Sequence, residues 1–317
     1  MNGATTEGAW RRQGLILAPP ETDAWASHAQ APTPLVLGPR LWRVYLGGRG
    51  RDNRSRIFRV DLDPGAGMAV LEADPAPVLD LGPPGAFDSA GQCASAAVLR
   101  PDGQVWIWYV GMHLRRDVPY GLAVGLAISN DGGLTFRRGA PGPVIAAGPE
   151  EPWFCSVAHV REAAPGDWRA WYMSGTGWTP PSQPSAEPDP LYDLAQARSA
   201  DGIAWQRTGP GLSLPGAALT RPWALADRLV FSARATTGFR NDPAAGYRLM
   251  EVALTPAGDA AGPARPLRLD PAPASGDWDH GMQCYAAILR HEGGEAMLYN
   301  GGHFGQAGFG WATREGR

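Results

Sequence analysis

Several acidic residues of this chain are placed where they could work in pairs. Asp88, Glu151, Asp277 and Asp279 each stand just before a short run of small and polar residues. Glu187 lies in a proline-rich loop, Thr179 to Pro190, flanked by Trp178 and Tyr192. Two carboxylates about 5 to 9 Å apart across a pocket are the minimum for hydrolysis of a glycosidic bond. One must hold its proton and the other must stay ionised. Asp88 and Glu187 make the best such pair; each alone would be a solvated loop acid. His28, His159 and His280 add acid/base capacity. Arg49, Arg54, Arg221 and Arg234 fall at segment ends, where they could clamp a carboxylate or phosphate or hold neighbouring loops. The faces of Trp153, Trp178, Trp223, Trp278 and Tyr285 suit the C–H face of a sugar, or wedge neighbouring blades together. Cys93, Cys155 and Cys284 sit at matching places in three segments. They read better as small buried residues than as ligands of a soft metal, so no metal or other cofactor is expected.

The elements that must position these groups announce themselves by repetition. A phrase ending in an aromatic recurs as Trp42–Tyr45, Trp106–Tyr109, Trp168–Tyr172, Leu229–Phe231 and Ala296–Tyr299, and the steps between the closing aromatics are 64, 63, 59 and 68 residues. A period of that length has the size of one four-stranded propeller blade. The expected fold is therefore all-β: a five-bladed β-propeller of four-stranded antiparallel blades, with residues 1–317 as one domain. The aromatic phrase is the second strand of each blade. The first strand precedes it and lies nearest the axis. Asn130-Asp131-Gly132-Gly133 and Asp201-Gly202 are hairpin turns between alternating apolar runs. Ser129-x-Asp131-x-Gly133-x-Thr135-Phe136 matches the Asp-box pattern, in which the carboxylate ties the turn. Asp131 and Asp201 are accordingly structural.

The bulk composition excludes several function classes. With 44% hydrophobic and 19% charged residues the chain can build a core, and a net charge of −3 leaves no nucleic-acid footprint. All 28 basic residues are arginine, so lysine Schiff-base and lysine general-base chemistry are out. No stretch approaches the roughly eighteen apolar residues of a membrane span. Met1 to Trp10 lacks the pattern of a signal peptide, and an odd cysteine count, 3, points to a reduced cytoplasmic chain. There is no phosphate-binding loop, dinucleotide fingerprint, His-Glu-x-x-His or G-x-S-x-G elbow.

Longer phrases carry a resemblance. Ser27-His28-Ala29-Gln30-x-Pro32, Gly48-Arg49-x-x-Asp52-Asn53-Arg54-Ser55, Phe87-Asp88-x-x-Gly91, Trp171-Tyr172-x-Ser174-Gly175-x-Gly177-Trp178, Glu187-Pro188-x-x-x-Tyr192, Trp278-Asp279 and Tyr299-Asn300-Gly301-x-x-Phe304-Gly305 are among them. Over essentially its whole length the chain resembles bacterial proteins related to five-bladed-propeller glycoside hydrolases: arabinanases, xylosidases, invertases, levansucrases and mannoside phosphorylases. The resemblance implies acids around an axial pocket. It puts Asp88 at the auxiliary acid position and Glu187 at a plausible proton donor. It also marks departures: His28 and Gln30 stand in blade one where an Asp is expected, and Ser89 follows Asp88 where relatives carry a second Asp.

The expectation is a bacterial glycoside-hydrolase-like enzyme acting on a sugar or sugar-like small molecule. Its catalytic residues would be Asp88, Glu187 and His28. Arg49, Asp52, Trp153, Trp178, Arg221, Arg234, Asp279 and His280 would bind substrate. No nucleic-acid or membrane partner is expected, and oligomeric state is left open. The alternatives are a biosynthetic elimination, cyclisation or transfer on the same fold, and a non-catalytic carbohydrate-binding propeller.

Overall fold

The computed structural model describes residues 9–180, 187–240 and 242–315. The described chain is nearly all strand, with one short helical stretch, Gly302–Gly305, and two 3-10 turns. None of its helices is long and apolar enough to cross a membrane.

The aromatic phrases fall on strands because β-branched and aromatic side chains fit a pleated surface buried on both faces. They lie in Leu41–Arg49, Val105–Leu114, Asp167–Trp178, Arg228–Ala235 and Gly294–Asn300. Each pairs antiparallel with the strand before it: Ser27–Gly38, Gly91–Leu99, Cys155–Ala164, Ala217–Ala224 and Cys284–His291. Each also pairs with the strand after it: Ser55–Asp63, Tyr120–Ser129, Pro190–Ser199, Arg248–Leu254 and Phe309–Arg314. Outer strands follow: Ala69–Asp74, Arg137–Arg138, Gln206–Arg207 and Ala260–Pro266. The outer strand of the C-terminal group comes from the other end of the chain, since Trp10–Leu17 pairs with Phe309–Arg314. Only a parallel bridge, Ser55 to Gly91, joins the first two groups into one eight-stranded sheet.

The first strands touch in a cycle. Ser27–Gly38 packs on Gly91–Leu99, that on Cys155–Ala164, that on Ala217–Ala224, that on Cys284–His291, and the last returns to Ser27–Gly38. The core is accordingly layered between successive groups. Trp108 and Leu126 pack with Val160 and Trp168; Trp25 and Phe58 pack with Leu298 and Phe309. Trp10, Trp25, Trp108 and Trp168 are fully buried. Each contributes about 4 to 6 kcal/mol of transfer free energy as an upper bound.

Two kinds of polar tie lock this arrangement. In the first, Asp131 accepts from the Leu134 and Thr135 N–H groups and from the Thr135 hydroxyl. The turn it shapes, with Gly132 and Gly133 at φ 77° and 87°, docks on the neighbouring group: the Tyr45 hydroxyl donates to Gly133 O at 2.9 Å. Gly202 O likewise accepts from Trp108 Nε1 at 3.1 Å. Burial alone would raise the Asp131 pKa; the hydrogen bonds from Ser129, Thr135 and Leu134 outweigh it and hold the carboxylate well below its usual range.

The second tie is a bracket of acid, tyrosine and arginine inside a sheet. Asp88 Oδ2 accepts from Tyr109 OH at 2.9 Å and from Arg138 Nη2 at 2.6 Å. Asp279 accepts from Tyr299 OH at 2.7 Å and from Arg12 Nη2 at 2.5 Å. Glu151 accepts from Tyr172 OH at 3.1 Å and pairs with Arg207. In all three the acid precedes the first strand, the tyrosine is on the second and the arginine is on an outer one, so the bracket spans the sheet.

Candidate functional site

The first strands share an irregularity. The register shifts between Ser27 and Gln30, Gln30 and Thr33, Ala94 and Ala96, Ser156 and His159, Thr220 and Trp223, and Cys284 and Ala287. Within these bulges His28, Ala31, Val157, Arg221 and Tyr285 have φ between 37° and 63°. Left-handed backbone at non-glycine residues costs about 1 to 3 kcal/mol each and gathers at functional sites. All five residues line one cavity of about 530 Å³, at the centre of the cycle of first strands.

One part of the cavity wall is polar, with His28, Gln30, Arg49, Ser55, Gln92 and Cys93. Another is a continuous aromatic surface. Tyr247 packs on Tyr285 and Phe304 with ring centroids 5.4 and 5.9 Å away, and Phe239 meets Phe304 at 6.1 Å. Tyr192 completes it through a hydroxyl–hydroxyl hydrogen bond to Tyr247, and Arg234 Nε donates to the Tyr192 oxygen at 2.8 Å from behind. Arg221 reaches across from its own strand. It donates to Pro32 O at 2.8 Å, Thr33 Oγ1 at 2.9 Å and Ser95 O at 3.0 Å, so it staples the first two groups from the fourth. Asn300 closes the remaining seam, donating to Ala29 O and accepting from Ala31 N–H, both at 2.7 Å.

The titratable groups of the wall are mostly held neutral. Burial, then the nearby Arg49 cation, lowers the His28 pKa to about 4, so its ring is a neutral acceptor at pH 7. Its Nδ1 is 2.8 Å from Ser27 Oγ. Burial raises the Cys93 thiol to about 11 and the Tyr120 phenol to about 12, and lifts Tyr247 and Tyr285 well above 10. Burial also lowers Arg221, to about 10, which leaves it protonated at neutral pH.

This wall divides the residues singled out from the sequence. His28, Arg49 and Arg221 line the cavity; Asp88, Glu187, Asp52, Trp153, Trp178, Arg234, Asp279 and His280 do not. Asp88 has no exposed surface, and Gln92, which donates to its Oδ2 at 2.9 Å, stands between it and the cavity. Asp279 is equally enclosed in its bracket. Asp52 pairs with Arg56 on the surface, which lowers its pKa to about 2. Trp153 is 46% exposed, and His280 is also on the surface. Trp178 packs edge-on against Tyr120, at 5.4 Å, and so backs a wall residue. Arg234 lies behind the aromatic surface, over Phe239 at 3.6 Å. Glu187 is exposed and is not on the cavity wall, and residues 181–186 of its loop lie outside the described residues. The three cysteines do not meet: Cys93 borders the cavity, and Cys155 and Cys284 are buried elsewhere.

Comparison with known proteins places this arrangement. The chain is 31% identical over 322 residues, 97% of its own length and 99% of the other's, to the uncharacterized protein Rv1502 of Mycobacterium tuberculosis. The chain belongs to the Rv1502 family. Its fold is that of the glycoside-hydrolase-like propellers. A glycosyl hydrolase from Bacteroides ovatus superposes with a TM-score of 0.67 at 12% identity, covering 98% of this chain and 94% of that one. A structure from the GH130 family of mannoside phosphorylases, which contains glycoside hydrolases targeting β-1,2-mannosidic linkages in Candida mannan, gives 0.66 at 12% identity, covering 99% and 96%. No family model matches the chain.

On this family fold, the sequence singled out Tyr285 of the cavity but gave no site role to Tyr120, Tyr192 and Tyr247. Tyr120 and Tyr192 stand at or near the start of the third strand in their groups, and Tyr247 immediately before it. The recurrence of tyrosine there was the available signal. Arg240, also on the wall and paired with Asp189, carried none.

Proposed function

We propose that this protein is a five-bladed propeller enzyme that acts on a glycoside or sugar-like metabolite in the axial cavity. The five-blade reading is supported by the cyclic packing of five first strands and by core layers between successive groups. The observation that carries the functional reading is the cavity: about 530 Å³, with an aromatic surface beside a polar one, at the hub of a glycoside-hydrolase-like fold. Aromatic faces take the C–H face of a sugar, and a few polar groups orient its hydroxyls.

In this reading His28 is the proton acceptor, since it is neutral and on the wall. Glu187 keeps the proton-donor role that the resemblance implies. Arg49 and Arg221 position the ligand. Asp88 is a structural brace, which changes its role from the one its place in the sequence implied. Among the described residues, no Asp or Glu lines the cavity. That favours a second reading, in which the chemistry is an elimination, cyclisation or transfer rather than two-carboxylate hydrolysis. The site of action is a cytoplasmic one in both readings.

A panel of aryl glycosides and activated sugars, assayed with His28→Asn, Glu187→Gln and Asp88→Asn, tests this. The expected result is turnover lowered by about two orders of magnitude or more in His28→Asn and retained in folded Asp88→Asn. Turnover unaffected by His28→Asn refutes the assignment. Sugar binding without turnover of any substrate leaves a binding propeller.

A further inference from the structure

Three arginines at the axial cavity, two of them buried, have no anionic partner among the described residues. Arg49 lies on the wall, Arg221 is 1% exposed, and Arg234 behind the tyrosines is 2% exposed. Among the described residues, none of the three has a carboxylate within ion-pair distance. The hydrogen bonds of Arg221 go to neutral oxygens, and its buried Nε has no partner. The other buried arginines among the described residues, Arg43 and Arg59, both pair with Asp61. A buried charge without a counter-ion is costly, and a pocket walled by low-dielectric protein concentrates its field.

The wall cannot supply the missing charge itself. Among the described residues it carries no Asp or Glu, and burial holds the Cys93 thiol and the Tyr120, Tyr247 and Tyr285 phenols neutral at pH 7. Arg240 on the same wall already has Asp189. The excess of positive charge therefore stays local, in a chain whose formal charge is −3.

We propose that the ligand of the axial cavity is acidic: a sugar or sugar-like metabolite whose carboxylate or phosphate pairs with Arg49 and Arg221. This rests on the reading that the ligand enters that cavity, and it narrows the substrate class. The Arg49 guanidinium can present two parallel N–H donors to either group; Arg221, whose terminal nitrogens already donate to Ser95, Pro32 and Thr33, adds its charge and its unpartnered Nε, and the aromatic surface takes the rest of the molecule.

Calorimetric titration of the full chain at low salt tests it, using acetate, inorganic phosphate, glucuronate, glucose 6-phosphate and glucose. At least one acid is expected to bind about tenfold or more tightly than glucose. Whether the carboxylates or the phosphates win names the group. Arg49→Gln weakens that binding about tenfold, while Arg49→Lys, which keeps the charge but not the paired donors, restores only part of it. Arg49 ends a strand and makes no ion pair among the described residues, so its replacement leaves the fold in place. Binding of acetate or phosphate without any sugar preference supports the anion site and counts against the sugar reading. Glucose binding as tightly as every acid keeps the sugar reading and overturns this one. So does an acid affinity indifferent to Arg49→Gln, or no binding by any acid at about 10 mM.

Discussion

His28 and His159 show what burial does to an ordinary side chain. His28 is on the cavity wall with its pKa lowered to about 4; His159 is part-buried beside Trp223 and lowered to about 3, by burial and then by Arg221 and Arg161. The neutral His159 ring has a structural duty, since its Nδ1 accepts the Ala224 N–H at 2.9 Å. Both groups bind fewer protons folded than unfolded between the unfolded value near 6.5 and their folded values. Stability therefore rises with pH across that window and is lost as pH falls through it. For His159 alone the loss by pH 4.5 amounts to about 2 to 3 kcal/mol. Urea denaturation at pH 7.5 and 4.5 should show that drop, and His159→Gln should make it smaller. A pH-independent midpoint across this range would mean that these rings are solvated. At this scale the sequence marked His28 as an acid/base candidate and Arg49 and Arg221 as cations at strand ends. It could not mark Asp88 as enclosed, because an acid next to a strand looks the same whether it faces a cavity or an arginine on the far side of its own sheet.

Among the elements, the sheets owe their rigidity to the repeated bracket and to glycines that let aromatics approach. A Cβ on Gly111 would meet the Phe87 ring at 2.4 Å, and one on Gly301 would meet Trp278 at 2.4 Å. Asp88→Asn keeps the shape but uncouples Arg138 and Tyr109. Breaking a buried pair by removing one partner costs about 3 to 5 kcal/mol; with Arg138 side chain 27% exposed the loss should fall near about 2 to 3 kcal/mol. Thermal denaturation measures it, and an Asp88→Asn melt equal to wild type would remove the brace from the account. The second strands were legible from their aromatic phrases, and the Asp-Gly turns from their residue types. The bulges of the first strands were not. Nothing in Ser156-Val157-Ala158 announces a valine at φ 37°; the crowding of strands at the hub imposes it. Trp10–Leu17 was also missed as a strand, because its partner Phe309–Arg314 lies almost 300 residues away and the pairing leaves no local signal.

For the molecule as a whole, the repeat period was the most informative property of the chain, since it fixed the size of the unit and so the nature of the fold. The contents of the cavity were less legible. Two-carboxylate chemistry follows from the family resemblance, whereas the wall is built of tyrosines, histidine and arginines. Both proposals above stand or fall with occupancy of that cavity. The chain has 7 methionines, and Met112 and Met173 border the cavity whereas Met68 is buried in a core layer away from it. Methyl-labelled methionine therefore reports where a ligand sits. A carbon–proton NMR titration with the sugar acids and sugar phosphates, its signals assigned by single Met→Leu variants, is predicted to shift Met112 and Met173 together in a saturable way and to leave Met68 unmoved. Saturable binding that leaves both cavity methyls in place, or that moves Met68 instead, would contradict an axial site.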